Sequence, residues 1–206
     1  MSDDAQDAPA ISEEEMAAFY KSADLYLNKA NELVGVEPPA RVGAAFLYAC
    51  ARFNAFALQA DLEDAGGVAD DMREGIVDLF ESELSEHLLQ RLRNAPEAFG
   101  AGGQATGEAL DIMVGLNDLD PTARSAFLRL ADNFIHIAND MIQAEGLTRA
   151  SVALVHACTR FNAYVLQREG LEPGVQDQAL IADFRQVYSD LLGFHLGQAL
   201  IASDGG

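Results

Sequence analysis

Residues 18–92 align with residues 126–200 at a constant offset of 108, without a gap. The densest stretch, Ala49-Cys50-Ala51-Arg52-Phe53-Asn54-Ala55, returns as Ala157-Cys158-Thr159-Arg160-Phe161-Asn162-Ala163, and Leu58-Gln59 returns as Leu166-Gln167. An internal duplication constrains the fold strongly. Both copies must adopt the same local structure, and an apolar surface that one copy cannot cover is also left uncovered by the other. The duplication describes an architecture and names no reaction.

The periodicity within each copy is helical. Ser12-Glu13-Glu14-Glu15 reads as a capping box, so a first helix is expected from about 13 to 34, ended by Gly35 and Pro38-Pro39. A second helix is expected from 39 or 40 to about 61, and a third from 69 to 93, with Ile76, Phe80, Leu84, Leu88 and Leu92 forming one stripe. Residues 94–120 read as a linker with a short helix at 105–116, and residues 1–11 as a disordered acidic tail. Asp120-Pro121 predicts an N-cap followed by proline at the first helical position. The second copy then repeats the pattern near 121–144, 148–169 and 176–202, with Thr148 as the cap of the middle helix. No alternating β-branched run suggests a strand. The chain is therefore expected to be all-α, with helical repeats over 12–93 and 121–202.

The second helix of each copy is apolar nearly all round, through Ala44, Ala45, Phe46, Leu47, Ala49, Phe53, Phe56 and Leu58 in the first copy. One three-helix unit cannot cover such a helix. The two copies are expected to pack on each other as a pseudo-twofold bundle, in the manner of a symmetric homodimer fused into one chain. Phe19, Phe46, Phe53, Phe56, Phe80, Phe127, Phe134 and Phe161 are expected in that shared core.

Polar residues also repeat where burial is expected: Asp24/Asp132, Asn31/Asn139, Arg52/Arg160 and Asn54/Asn162. An antiparallel hairpin closed around residues 36–39 sets Asp24 opposite Arg52 and Asn31 opposite Ala45, and the second copy repeats both matches. This predicts a buried carboxylate–guanidinium pair within each copy, with asparagines completing the hydrogen bonds. A rival reading makes these groups the floor of an anion or small-molecule pocket. Catalysis by them fits poorly, because a carboxylate held ionised by arginine is a weak base near neutral pH.

Cys50 matches Cys158 and His87 matches His195, the count of a structural zinc site. No Cys-x-x-Cys or His-x-x-x-His spacing supports one, so free core thiols and boundary histidines are expected, with no cofactor. A disulfide requires the two copies to meet at the cysteines. His136 and His156 face Asn28 and Tyr48 in the alignment and read as surface or packing residues. There is no Glu-x-x-His pair, no phosphate loop between strand and helix, and no triad spacing.

The net charge is −20, and lysine occurs only at Lys21 and Lys29. Such a chain repels phosphate backbones and anionic membrane surfaces, which argues against nucleic acid and membrane partners. No apolar run reaches a membrane-spanning length, and Met1-Ser2-Asp3-Asp4 does not begin a secretory signal, so a cytoplasmic setting is expected.

The segments Ala23-Asp24, Ala30-Asn31 and Ala49 to Ala55, repeated at Ala131-Asp132, Ala138-Asn139 and Ala157 to Ala163, resemble a small proteobacterial family of helical proteins known as domain of unknown function 3144. The resemblance covers about 75 residues per copy. It implies an all-helical fold and a bacterial, cytoplasmic origin, and it transfers no catalytic residue. The chain departs from the family pattern in carrying two copies, and in cysteine at 50 and 158 where alanine is expected.

These readings favour a non-enzymatic adaptor or regulator that presents an acidic helical surface to a protein partner, for which a basic one would be complementary, as a monomer or homodimer. The alternative is a small-molecule or metal-binding module with its site between the copies, near Arg52, Arg160, Cys50, Cys158, His87 and His195.

Overall fold

The computed structural model describes residues 12–65, 69–94, 108–169 and 175–203. Within them the chain forms α1 (Glu13–Val34), α2 (Pro39–Ala65), α3 (Ala69–Asn94), α4 (Glu108–Val114), α5 (Pro121–Glu145), α6 (Leu147–Arg168) and α7 (Val175–Ser203). A 3₁₀ turn at Gly115–Asp118 follows α4, so the connecting helical stretch ends slightly later than its composition suggests. No strand occurs among the described residues. The expected tail at 1–11, residues 95–107 of the linker and the Leu92 side chain lie outside them.

The helix starts follow from local chemistry. Ser12 accepts from the Glu15 amide and Glu15 reaches back to the Ser12 amide at 2.9 Å, the reciprocal bonds of a capping box. Asp120 accepts from the amides of Thr122 and Ala123, with Pro121 as the first helical residue. The expected Thr148 cap is corrected. Gly146 adopts φ 87°, which only glycine holds without strain, and α6 begins directly after it at Leu147. One residue thus joins α5 to α6 and leaves no space for a cap at Thr148.

α2 and α6 pack on each other at the centre, and each is covered chiefly by helices of the other copy. α1 and α3 lie on α6, while α5 and α7 lie on α2. The contact between α1 and α2 is slight by comparison. Aromatic rings stack across the copies: Phe46 on Phe134 with centroids 4.0 Å apart, and Phe80 on Tyr188 at 4.2 Å. Each such pair contributes roughly 0.5–1.5 kcal/mol beyond its area burial. Phe46, Phe53, Phe80, Phe127, Phe134 and Phe161 are buried and Phe19 packs partly buried against them. Phe56 is the correction, since half of it faces solvent. The helix is not apolar on every side of its neighbours' cover, and position 56 lies on the uncovered stripe.

Among the described residues α4 has no counterpart in the first copy. It packs on α2 and α7, which are the repeat equivalents of α6 and α3. The segment joining the copies therefore adds cover to one pair of outer and central helices and not to the other.

Candidate ligand cavity between the copies

A cavity of about 880 Å³ opens where the start of α1 meets α3 and the first half of α6. α1 contributes Glu15, Met16, Phe19 and Tyr20, and α3 contributes Glu83, Glu86, His87 and Gln90. The α5–α6 junction and α6 contribute Glu145, Arg149, His156 and Arg160 among others. Both copies are needed to build it.

Glu83 and His87 are one turn apart on α3 and so project from the same face. His156 reaches them from α6, with Nδ1 2.7 Å from Glu83 Oε2. A carboxylate is acceptor-only, so the His156 nitrogen facing it carries the proton. His87 Nε2 lies 3.4 Å from the same oxygen. Its alignment makes no hydrogen bond, and this buried nitrogen has no partner. The hydrogen bond from His156, and then the neighbouring His87 imidazole, hold the Glu83 carboxyl down at about 2, against the opposing effect of burial. Two rings fix His156 from the α1 side, Phe19 at 5.3 Å and Tyr20 at 5.6 Å between centroids, and His87 meets it edge-on at 4.6 Å. Among the described residues, Glu83, His87 and His156 form the one group of three or more His, Cys, Asp or Glu side chains whose ligand atoms converge, all within 4.8 Å of one another.

Glu145 stands elsewhere on the cavity wall. Its Oε1 accepts from Ser22 Oγ at 2.5 Å, and its Oε2 is buried without a hydrogen-bond partner.

The repeat makes this site one-sided. At the offset of 108, Glu83 corresponds to Leu191, His87 to His195 and His156 to Tyr48. On that side Tyr48 meets His195 edge-on at 4.9 Å and no carboxylate stands at position 191. Burial, and secondarily the Arg52 charge, push the His195 imidazole down to about 4.

The polar residues singled out by the repeat are placed differently from expectation. Arg52 pairs with Asp132 at 3.3 Å and Arg160 with Asp24 at 3.8 Å, so each ion pair joins the two copies and none closes within one. Both pairs are half in solvent, and Asn31 and Asn139 are exposed. The hairpin register assumed that α1 lies on α2, whereas α1 lies on α6. Asn54 and Asn162 are fully buried and donate to the Cys50 and Cys158 carbonyls at 2.9 and 3.0 Å. Ser151 Oγ donates to Asn54 Oδ1, while at the equivalent point Gly43 offers no hydroxyl and Asn162 Oδ1 lacks a partner.

Cys50 and Cys158 are free thiols buried at the centre beside Tyr188. Burial, and then the adjoining Cys50, push the Cys158 thiol well up, which keeps it protonated. The copies do meet at the cysteines, and no disulfide joins them. The two histidines of the notional Cys₂His₂ set go elsewhere, His87 to the cavity and His195 to Tyr48. His136 is exposed, as a surface residue should be. His156 is a buried packing residue that is also bonded to Glu83, a role invisible along α6 because its partner lies on another helix. The signal that marks it is a difference between the copies, His156 against Tyr48 and Glu83 against Leu191, at positions that meet in space.

Fold and site together define an all-helical tandem repeat whose two copies share one core and frame a half-open cavity of mixed polar and apolar lining on one side. A family model described as a protein of unknown function (DUF3144) matches residues 19–95 and again residues 127–199. The chain belongs to that family and carries its domain twice. Comparison with curated proteins and with solved structures found no match.

Proposed function

We propose that the protein is a non-enzymatic binding module whose cavity between the copies takes a small molecule bearing a protonated amine or a comparable hydrogen-bond donor. The observation that carries this reading is Glu145 Oε2, a buried carboxylate oxygen without a partner in a residue of the cavity wall. Leaving such an acceptor unsatisfied costs about 1–3 kcal/mol, which a donor on the ligand recovers. The aromatic faces of Phe19 and Tyr20 and the carboxylates of Glu15 and Glu86 on the same walls suit a cation with an apolar body. The free thiols fit a reducing cytoplasm. No helix among the described residues is long and apolar enough to cross a membrane.

The adaptor reading is supported by the net charge of −20, which favours a basic protein partner. The cavity carries more specific chemistry and is placed first.

Native mass spectrometry of the purified protein tests the proposal against the mass of the denatured chain. The expected result is an organic adduct, lost on denaturation and diminished in Glu145→Gln. A clean native mass, with no thermal stabilisation by a panel of small amines, would overturn it.

A further inference from the structure

We propose that Glu83, His87 and His156 bind one divalent first-row transition-metal ion, of the zinc or iron(II) kind, at the α3–α6 wall of the cavity. The donor set is two imidazole nitrogens and one carboxylate oxygen, the combination that borderline divalent ions take in sites with open coordination positions. Metal–ligand distances of about 2.0–2.1 Å in tetrahedral geometry require donors about 3.3 Å apart. Glu83 Oε2 already lies 2.7 Å from His156 Nδ1 and 3.4 Å from His87 Nε2, and all three ligand atoms fall within 4.8 Å. Small side-chain rotations bring them to a common centre.

The second observation is independent of that spacing. His87 is only 6% exposed, and its Nε2 has no hydrogen-bond partner. A buried ring nitrogen in that condition is stabilised by a ligand that accepts its lone pair. The ion takes the place of the proton that His156 now shares with Glu83, as metal binding to histidine generally does. The surroundings favour a cation: Glu15, Glu83, Glu86 and Glu145 line the cavity against Arg149 and Arg160. Arg160 is partly committed to Asp24.

The duplication supplies a built-in contrast. The equivalent positions Leu191 and Tyr48 leave His195 as the one retained imidazole, so the other side cannot assemble the site. Three protein donors leave at least one position on the ion for water or for a group of a cavity ligand. The metal site goes beyond the small-molecule reading and does not depend on it, because the ion alone occupies the three donors.

The test is calorimetric titration of the chelator-stripped full chain with Zn²⁺. One ion per chain is expected. Glu83→Leu and His156→Tyr each install the residue that the other copy tolerates at that position, and each is expected to weaken binding by more than about 100-fold, beyond the 10–100-fold loss typical of outer-shell partners. His136→Ala, altering an exposed histidine outside the cluster, should leave binding unchanged. A second measurement on the unaltered chain does not rely on the variants folding: Co²⁺ should broaden the imidazole resonances of His87 and His156 before those of His136 and His195. Absence of 1:1 binding, binding that survives both variants, or broadening led by His136 or His195 would each overturn the site. Loss of an organic adduct with metal binding intact would instead count against the small-molecule reading alone.

Discussion

Arg52 and Asp132 keep 49% and 47% of their side chains in solvent across a 3.3 Å ion pair. Exposed pairs of this kind contribute about 0–1 kcal/mol, because water and salt screen the charges and two long side chains must be ordered. Arg52→Ala is therefore expected to cost less than about 1 kcal/mol in urea denaturation, whereas a cost near 3–5 kcal/mol would indicate a carboxylate left buried and unpaired. His195 has the opposite character. Its folded pKa of about 4 lies below the ordinary value of 6.5, with Tyr48 and the Arg52 charge facing it. The unfolded chain then binds more protons between these values, so the neutral ring's stabilisation is complete above pH 6.5 and is lost as pH falls toward 4. Between pH 7 and pH 5 the denaturation midpoint of His195→Phe should fall less than that of the unaltered chain. An equal fall would place the acid sensitivity elsewhere. At this scale the candidate site was half legible. His87 stood out because it repeats, while Glu83 and His156 did not, because attention to shared residues selects what both copies need. Both copies need a core, and a one-sided site is built where they differ.

The helices themselves were read well from the sequence where their ends are set by interactions between residues at most three apart. Ser12 with Glu15, and Asp120 with Pro121, are such cases. The start of α6 was not, because it depends on how Gly146 turns the chain between two helices that pack on each other. The crossing of α2 and α6 raises a related point. A Cβ at Gly43 would stand 2.7 Å from Asn162 Oδ1, the buried oxygen that lacks a partner. Its repeat equivalent is Ser151, which donates to Asn54. Gly43→Ser can reproduce that bond after a small shift of the Asn162 amide, whereas Gly43→Ala adds only the crowding. The serine variant should be the more stable by about 1 kcal/mol in thermal or urea unfolding, although intrinsic helix propensity favours alanine. Alanine ranking above serine would show that the crossing has no room for the hydroxyl.

At the scale of the molecule, the core belongs to neither copy alone, since α1 and α3 cover α6 while α5 and α7 cover α2. Cleavage at a protease site inserted within residues 95–107 should leave the two fragments co-eluting as one species in size-exclusion chromatography, parting only in denaturant. Two folded species eluting separately would contradict a shared core. The sequence by itself determined the number and extent of the main helices, their duplication, and the need of α2 and α6 for cover from both copies, because these follow from local periodicity and apolar content. It could not determine which copy supplies the cover. Arg52 and Arg160 occupy the same repeat position, so a register argument places Asp24 opposite either one equally well. Only the tertiary structure breaks that degeneracy. By laying α1 and α3 of one copy against α6 of the other, and α5 against α2, it turns two crossed ion pairs outward and brings Glu83, His87 and His156 to one wall of a cavity.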